Sequence, residues 1–385
     1  MLKTFQYRLY PTREQETKLQ ATLHECRWLY NHFLAERKTG WEERQESLRL
    51  YDQLGTLPLL KAERPSLATV HSQVLQNVGV RIDLALKAFF RRCQNGEQPG
   101  YPRFRGPDRY DSFCYPQAPS GCQLNGDRLT LFGIGTVRVV LHRPLEGKPK
   151  TVCVRRSSTG KWYVTFACEG EPAPLPAAEE QAGIDVGLAS FATLSTAETI
   201  ANPRFFRQEE KALAKAQRDL AREAKGTPKR RERRKVVARV HERTHWKRRD
   251  FAHQESRKIV NRFQVIAVED LSVNRMVHNH CLAKSISDAA WAAFVAMLSF
   301  KAAWAGRSFI AVNPAYTSQD CSACGHRQKL PLSDRTYRCP CCGLEMDRDH
   351  NAALNILALG LLAMGLHGAG LALGSPLLSQ GEQSQ

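Results

Sequence analysis

Two Cys-x-x-Cys pairs, Cys321/Cys324 and Cys339/Cys342, stand in this chain with 14 residues between them. Zinc takes four ligands tetrahedrally, and two such turns deliver four thiolates from two knuckles. A glycine follows each pair, Gly325 and Gly343, easing the tight turn that a knuckle makes. A complete thiolate set leaves no open coordination position, so this zinc is expected to be structural. Cys341, between Cys339 and Cys342, has no room to join as a fifth ligand, and His326 is a weaker candidate.

Directly after the second pair comes Asp347-Arg348-Asp349-His350-Asn351, opening a run of helical spacing with Ala352, Ala353 and Ile356 as its apolar face. Far upstream, Asp185 sits among Ile184, Val186 and Leu188, and Glu269 ends the apolar run from Val265 to Val268. A buried carboxylate is costly unless it is paired or holds a cation. Two strand acids and one at a helix start can converge on one point. Three clustered carboxylates bind Mg²⁺, and two such ions ~3.5–4 Å apart clamp a phosphodiester for in-line attack by water. Singly, each acid has a plainer explanation: a helix N-cap accounts for Asp347 or Asp349, and a strand end for Glu269. Together, in a basic α/β chain, they point to metal-dependent hydrolysis. Spacing alone does not choose between Asp347 and Asp349.

The substrate of such a site is suggested by charge. Lys and Arg number 56 against 38 Asp and Glu, a net charge of +18, which points to a polyanion and most simply to nucleic acid. Residues 211–258 hold 18 Lys/Arg and 6 Asp/Glu, which is two thirds of that excess. The densest run is Lys229-Arg230-Arg231-Glu232-Arg233-Arg234-Lys235. Alone it would read as a solvated helix face; within this excess it reads as phosphate contact. A second candidate is Gly100-Tyr101-Pro102-Arg103-Phe104-Arg105-Gly106, a loop that interleaves arginine with aromatics. It suits base stacking and phosphate contact, and equally a packed loop with solvated arginines.

The elements that must position these residues follow from periodicity. Residues 2–10 alternate from Leu2 on, with Phe5, Tyr7 and Leu9 on one face and Lys3 and Arg8 among the residues between, and predict a strand that Pro11 ends. Thr12 and Gln15 form a capping box for a helix with Leu19, Leu23, Cys26, Tyr30 and Phe33 as its stripe. Residues 41–55 and 67–92 also predict helices, the latter capped by Ser66 and striped by Leu75, Val78, Ile82 and Leu86. From 112 to 169 the pattern turns to strands, with a hairpin at Asn125-Gly126 and a turn at Ser157–Gly160. These predict a small antiparallel barrel that the 2–10 strand closes, the helices between being an insertion. The Pro/Ala-rich stretch 170–180 reads as a domain linker. Beyond it, 182–194 predicts a buried hairpin, 208–262 helices interrupted at 226–228, 265–268 and 309–312 strands, and 286–305 a helix.

Length and composition bound the class. The 385 residues, 42% hydrophobic, suit two or three soluble domains. MLKTFQYRLYPT carries no apolar h-region, so a reducing, cytoplasmic setting is expected. Cys26, Cys93, Cys114, Cys122, Cys153, Cys168 and Cys281 then read as ordinary buried thiols. From Ala352 to Gly381 there is no Lys, Arg, Asp or Glu. The run could pass for a membrane span by hydropathy, but its glycines and its lack of a basic flank favour a catalytic helix followed by a loosely ordered tail.

Several motifs together resemble one family. They are FQYRLYPT at the start, CRWLYN (26–31), GYPRF (100–104), GIDVGL (183–188), HQESRKIV (253–260), AVEDL (267–271), KSISDAAWAAF (284–294), and TSQDCSACG, YRCPCCG and DRDHNAALNI at 317–356. The chain resembles TnpB, the RNA-guided DNA endonuclease encoded by prokaryotic insertion sequences and related to type V CRISPR effectors. The resemblance implies a multidomain fold: a RuvC-type, RNase H-like nuclease with an inserted zinc ribbon, and a wedge-like β-barrel carrying a helical recognition insertion. The implied boundaries are 1–11 and 100–172 for the barrel, 12–99 for the insertion, 181–312 and 347–372 for the nuclease, 313–346 for the ribbon and 373–385 for a disordered tail. It implies Asp185, Glu269 and Asp349 as the acidic triad, choosing Asp349 over Asp347. It further implies a guide RNA from the transposon end, a double-stranded DNA target beside a short flanking motif, catalytic Mg²⁺ and no membrane partner. A monomer near the nucleoid is the expected state. Rival readings are an RNA-guided repressor that binds without cutting, and an accessory transposition protein.

Overall fold

The computed structural model describes residues 1–331 and 333–365, and divides into two compact units, residues 1–171 and 172 onward. The expected tail at 373–385 lies outside the described residues, as does the far part of the charge-free run.

The first unit opens with β1 (Leu2–Tyr10), where Phe5, Tyr7 and Leu9 are fully buried and Leu2 is exposed. The capping box forms as its spacing predicts: Thr12 accepts from the Gln15 N–H and the Gln15 side chain accepts from the Thr12 N–H, starting α1 (Arg13–Arg44). The helix expected over 41–55 is broken. α1 ends where Gln45 turns left-handed and returns its N–H to the carbonyls of Gly40 and Trp41, and α2 (Leu50–Gly55) and α3 (Leu57–Glu63) follow. Ser66 caps nothing at the next helix. It lies in the 3₁₀ turn Pro65–Thr69, its hydroxyl serves Glu25, and α4 (Ser72–Gln94) begins six residues later.

The strands β2 (Ser112–Tyr115), β3 (Cys122–Asn125), β4 (Arg128–Leu131), β5 (Gly135–Val140), β6 (Lys148–Arg156) and β7 (Trp162–Glu169) complete a barrel-like antiparallel sheet in the order β2-β6-β7-β1-β5-β4-β3. β1 is therefore the middle strand rather than the closing one. It pairs along its length with β7 and at Arg8–Tyr10 with β5, and the sheet's edges are β2 and β3. The hairpin turn is Gly126-Asp127, one position later than expected, because Asn125 still pairs with Arg128. Two of the scattered cysteines are not thiols: Cys114 and Cys153 lie directly opposite on β2 and β6 and form a disulfide. Cys93 and Cys281 are exposed rather than buried.

The second unit is built on a five-stranded sheet. β8 (Gln181–Asp185), β9 (Ser190–Leu194) and β10 (Thr199–Ala201) form an antiparallel meander, while β11 (Val265–Glu269) and β12 (Ser308–Val312) add in parallel to β8, giving the order β10-β9-β8-β11-β12. Between β10 and β11 run α5 (Phe205–Ala221) and α6 (Pro228–Arg262). The helix expected at 286–305 is interrupted at Ala290, which is left-handed and separates α8 (Ala283–Ala289) from α9 (Trp291–Trp304); the short α7 (Val273–Met276) precedes them. Near the end of α8 the buried Asp288 ties it to its neighbours: its carboxylate accepts from the Phe206 N–H at the start of α5 and from Arg248 on α6. α9 buries Trp291, Phe294, Leu298 and Ala302 in the same core as Ile184, Phe191 and Ile266. After β12 the chain forms the hairpin β13 (Thr336–Arg338) and β14 (Glu345–Asp347), then α10 (Arg348–Ala363).

Candidate active site and metal centre

Asp185 is the last residue of β8 and Glu269 the last of β11. The strands are parallel neighbours with Val268 opposite Ile184, so the two acids take the next rung at the same sheet end. Asp349 comes from the first turn of α10. Two glycines let that helix reach them. A Cβ on Gly183 would stand 2.1 Å from the Ala353 carbonyl oxygen and 2.6 Å from the Leu357 nitrogen, and one on Gly360 would stand 2.6 Å from the Ala267 Cβ. α10 thus lies directly against the backbone of β8 and the face of β11, its apolar stripe burying Ala352, Ala353 and Ile356.

Electrostatics at the site reflects this convergence. The Asp185 carboxyl is pushed up to about 8, first by burial and then by the negative charges of Glu269 and Asp349. Burial also raises Glu269 and Asp349, the latter further raised by Asp347. Among the described residues Arg335 is the cation nearest Asp349, at 3.7 Å, too far for a tight pair. Three crowded carboxyls held above their usual range are short of positive charge, and an all-oxygen donor set of this kind suits a hard divalent cation. Asp347 does a different job. Its carboxylate accepts the N–H groups of Asp349 and His350 at 2.9 and 3.0 Å, capping α10 and leaving Asp349 free to face Asp185.

Several supporting residues escaped the reading of the sequence. Thr317 Oγ1 lies 2.5 Å from Glu269 Oε1 and fixes that carboxylate. Asn351, fully buried, donates to the Asp320 carbonyl and accepts the Ser322 N–H, while Asn355 donates to the carbonyls of Thr317 and Asp320. One helix face therefore ties the loop before the first cysteine pair to the three acids. The available signal was two asparagines four apart on an otherwise apolar helix face, since buried amides require partners.

The four cysteines Cys321, Cys324, Cys339 and Cys342 gather with all sulfurs within 4.8 Å of one another. Cys321 and Cys342 are 3.7 Å apart, Cys324 and Cys339 3.5 Å. Tetrahedral zinc with Zn–S of ~2.3 Å puts sulfurs ~3.8 Å apart, so the cluster fits that ion. The N–H groups of Cys342 and Cys341 aim at Cys339 and lower its thiol, favouring a thiolate within the cluster. Gly325 and Gly343 both have positive φ, as knuckle turns require. Neither Cys341 nor the His326 ring joins the group; His326 serves it through its backbone, its N–H bonding the Cys324 sulfur and its carbonyl accepting from the Cys321 N–H and the Tyr337 hydroxyl.

The basic run falls on the first two turns of α6. Lys229, Arg231, Arg234 and Lys235 are exposed. Arg230 is not a free cation: it donates to the carbonyls of Leu220 and Glu223 and closes the end of α5, while Lys229 and Arg233 lie near Glu223. In the first unit the loop 100–106 is irregular as expected. Tyr101 and Phe104 are 38% and 52% exposed, Arg103 is exposed, and Arg105 is pinned through its backbone to Asn31.

Known proteins are similar to this chain over most of its length. Residues 165–280 match a family model for OrfB of IS605, described as "Probable transposase". The "Putative RNA-guided DNA endonuclease" of Streptomyces pristinaespiralis is 37% identical over 389 aligned positions, covering 100% of this chain and 94% of the relative. The chain belongs to the TnpB family. A second TnpB-family relative, the "Putative RNA-guided DNA endonuclease InsQ" of Escherichia coli K12, is 31% identical over 93% of this chain and 92% of its own length. Residues 291–356, which hold α9, β12, the cysteine cluster and Asp349, match the "Cas12f1-like, TNB domain" model. Residues 1–46 match a model described as a helix-turn-helix domain, although here they form one strand and one 32-residue helix. The solved structure of the mini-RNA-guided endonuclease CRISPR-Cas phi3 aligns over 97% of this chain and 93% of that one with TM-score 0.52 and 9% identity, a likeness of fold alone.

Proposed function

We propose that this chain is an RNA-guided DNA endonuclease of the TnpB type. The observation that carries the reading is the meeting of Asp185, Glu269 and Asp349 at one end of the second unit's sheet. An antiparallel meander continued by parallel strands, with α10 delivering the third acid, supports a RuvC-type, RNase H-like nuclease. The carboxylates would hold Mg²⁺, which when bound supplies the positive charge that draws in a phosphodiester and activates water. Thr317 orients Glu269, Asp347 holds the helix start, and the Asn351 and Asn355 contacts keep the loop in place. The four cysteines would hold structural zinc and brace that loop. The barrel at 1–11 and 100–172 with its helices at 12–99 would hold guide RNA and read the flanking motif, in the cytoplasm near the nucleoid. Sequence specificity would come from base pairing, as in guided nucleases generally.

The test is to purify the chain with its bound RNA, sequence that RNA, and present a matching plasmid with Mg²⁺. Cleavage is expected, and Asp185→Ala is expected to abolish cutting while RNA and target binding persist. A wild-type complex that binds matched target and never cuts it would instead make the protein a guided repressor. Full cutting by Asp185→Ala would remove the triad assignment.

A further inference from the structure

The first unit has a small open recess, about 180 Å³, where the end of α4 meets the loop 100–106. That is below the ~300–1,000 Å³ of typical small-molecule sites. Its lining includes Tyr30, Phe89, Pro102, Arg92, Arg103 and Arg105, two aromatic rings and three guanidiniums without a carboxylate. The walls are held in place. Asn31 bonds both backbone groups of Arg105, accepting its N–H at 2.7 Å and donating to its carbonyl at 3.0 Å. The Arg105 guanidinium lies 5.5 Å from the Tyr30 ring centroid, and Phe89 packs edge-on against Tyr101 at 5.4 Å. Arg92 reaches Glu97 only at 3.7 Å, and Arg103 has no partner among the described residues.

We infer that this recess receives one unstacked nucleotide of a single-stranded nucleic acid, its base against Phe89 and the Arg105 guanidinium that rests on buried Tyr30, and its phosphate on Arg103. The inference rests on the proposed nucleic-acid function and gives it a site. Aromatic faces accept any base by stacking, and arginines above them hold the backbone charge. A base paired within a duplex cannot enter so small a recess, so the cavity discriminates strandedness rather than sequence.

The test uses the full-length chain freed of copurified RNA and three fluorescent probes: a short oligouridylate, the matching oligothymidylate and a blunt DNA duplex of equal charge. Phe89→Leu, which removes the ring and keeps most of the bulk, is expected to weaken single-strand binding about tenfold and leave the duplex unchanged. Arg103→Ala, on an exposed loop, is expected to weaken single-strand binding and lower its salt slope by about one. It keeps the question open to test if Phe89→Leu does not fold. Loss on oligouridylate alone assigns the nucleotide to RNA, on oligothymidylate alone to DNA, and on both to either strand. Unchanged single-strand binding in both variants, or equal loss on the duplex, overturns the cavity while leaving the nuclease reading intact. A wild-type chain that binds none of the probes overturns the recess; the nuclease reading fails separately, on absence of cutting by the RNA-bound chain.

Discussion

Asp185 carries a physical conflict that the nearby Arg348 offsets only in part. Its carboxyl is held at about 8 by burial and by two adjacent acids, against an ordinary 3.8. The folded chain therefore holds that proton more tightly than the unfolded chain. This favours folding fully below about pH 4 and is lost as pH rises through 8. Asp185→Asn keeps the shape without the charge. In EDTA it is expected to melt a few degrees above wild type at pH 8, with the gain shrinking toward pH 4. Thermal melts across that range check it, and an Asn variant that melts lower than wild type at pH 8 would contradict the crowding. Divalent cation should reverse the order by raising wild type alone.

Among the elements, α10 is the piece that turns a sheet into a site. Its contact with β8 has no room for a methyl group at Gly183. Gly183→Ala must push backbone against backbone, so a loss of about 3 kcal/mol or more is expected by denaturant titration. Cleavage should fall with it, because Asp349 rides on the displaced helix. The ribbon makes a separate prediction. Cys321 is buried with Tyr337 and Cys339 in a core of very few side chains, too small to fold without its metal. Cys321→Ser is expected to lose zinc by metal analysis and to expose residues 317–347 to hydrogen exchange. Wild type with no zinc after purification would remove the centre altogether. The knuckle and the third acid remain chemically distinct although they adjoin in sequence.

Among the described residues each unit has its own large core. The first unit buries Phe5, Leu29, Phe33, Val137 and Trp162; the second buries Ile184, Phe191, Phe263 and Phe294. Residues 170–180 carry no helix or strand and are largely exposed. They contain Glu171, Glu179 and Glu180 and no Lys or Arg. A glutamate-specific protease is expected to cut there first, releasing fragments of the two units' sizes, while trypsin spares the segment. First cuts inside either core would contradict the division.

Much of this could be read from residue types and spacing. Four cysteines at knuckle spacing, acids ending apolar strands, the Thr12/Gln15 cap and the stripes of α1 and α4 are local patterns, and local patterns report which atoms an element presents. The chain alone also carries the charge excess. Which partner each face meets was decided only in three dimensions. Asp347 and Asp349 are two residues apart and equally acidic, and only the seating of α10 on Gly183 turns one into a cap and the other toward Asp185. The central place of β1, the Cys114–Cys153 pairing, the break at Ala290 and the buried amides of Asn351 and Asn355 are of the same kind. Each depends on contacts between residues far apart in the chain, and periodicity carries the direction of a side chain but not the identity of what it touches.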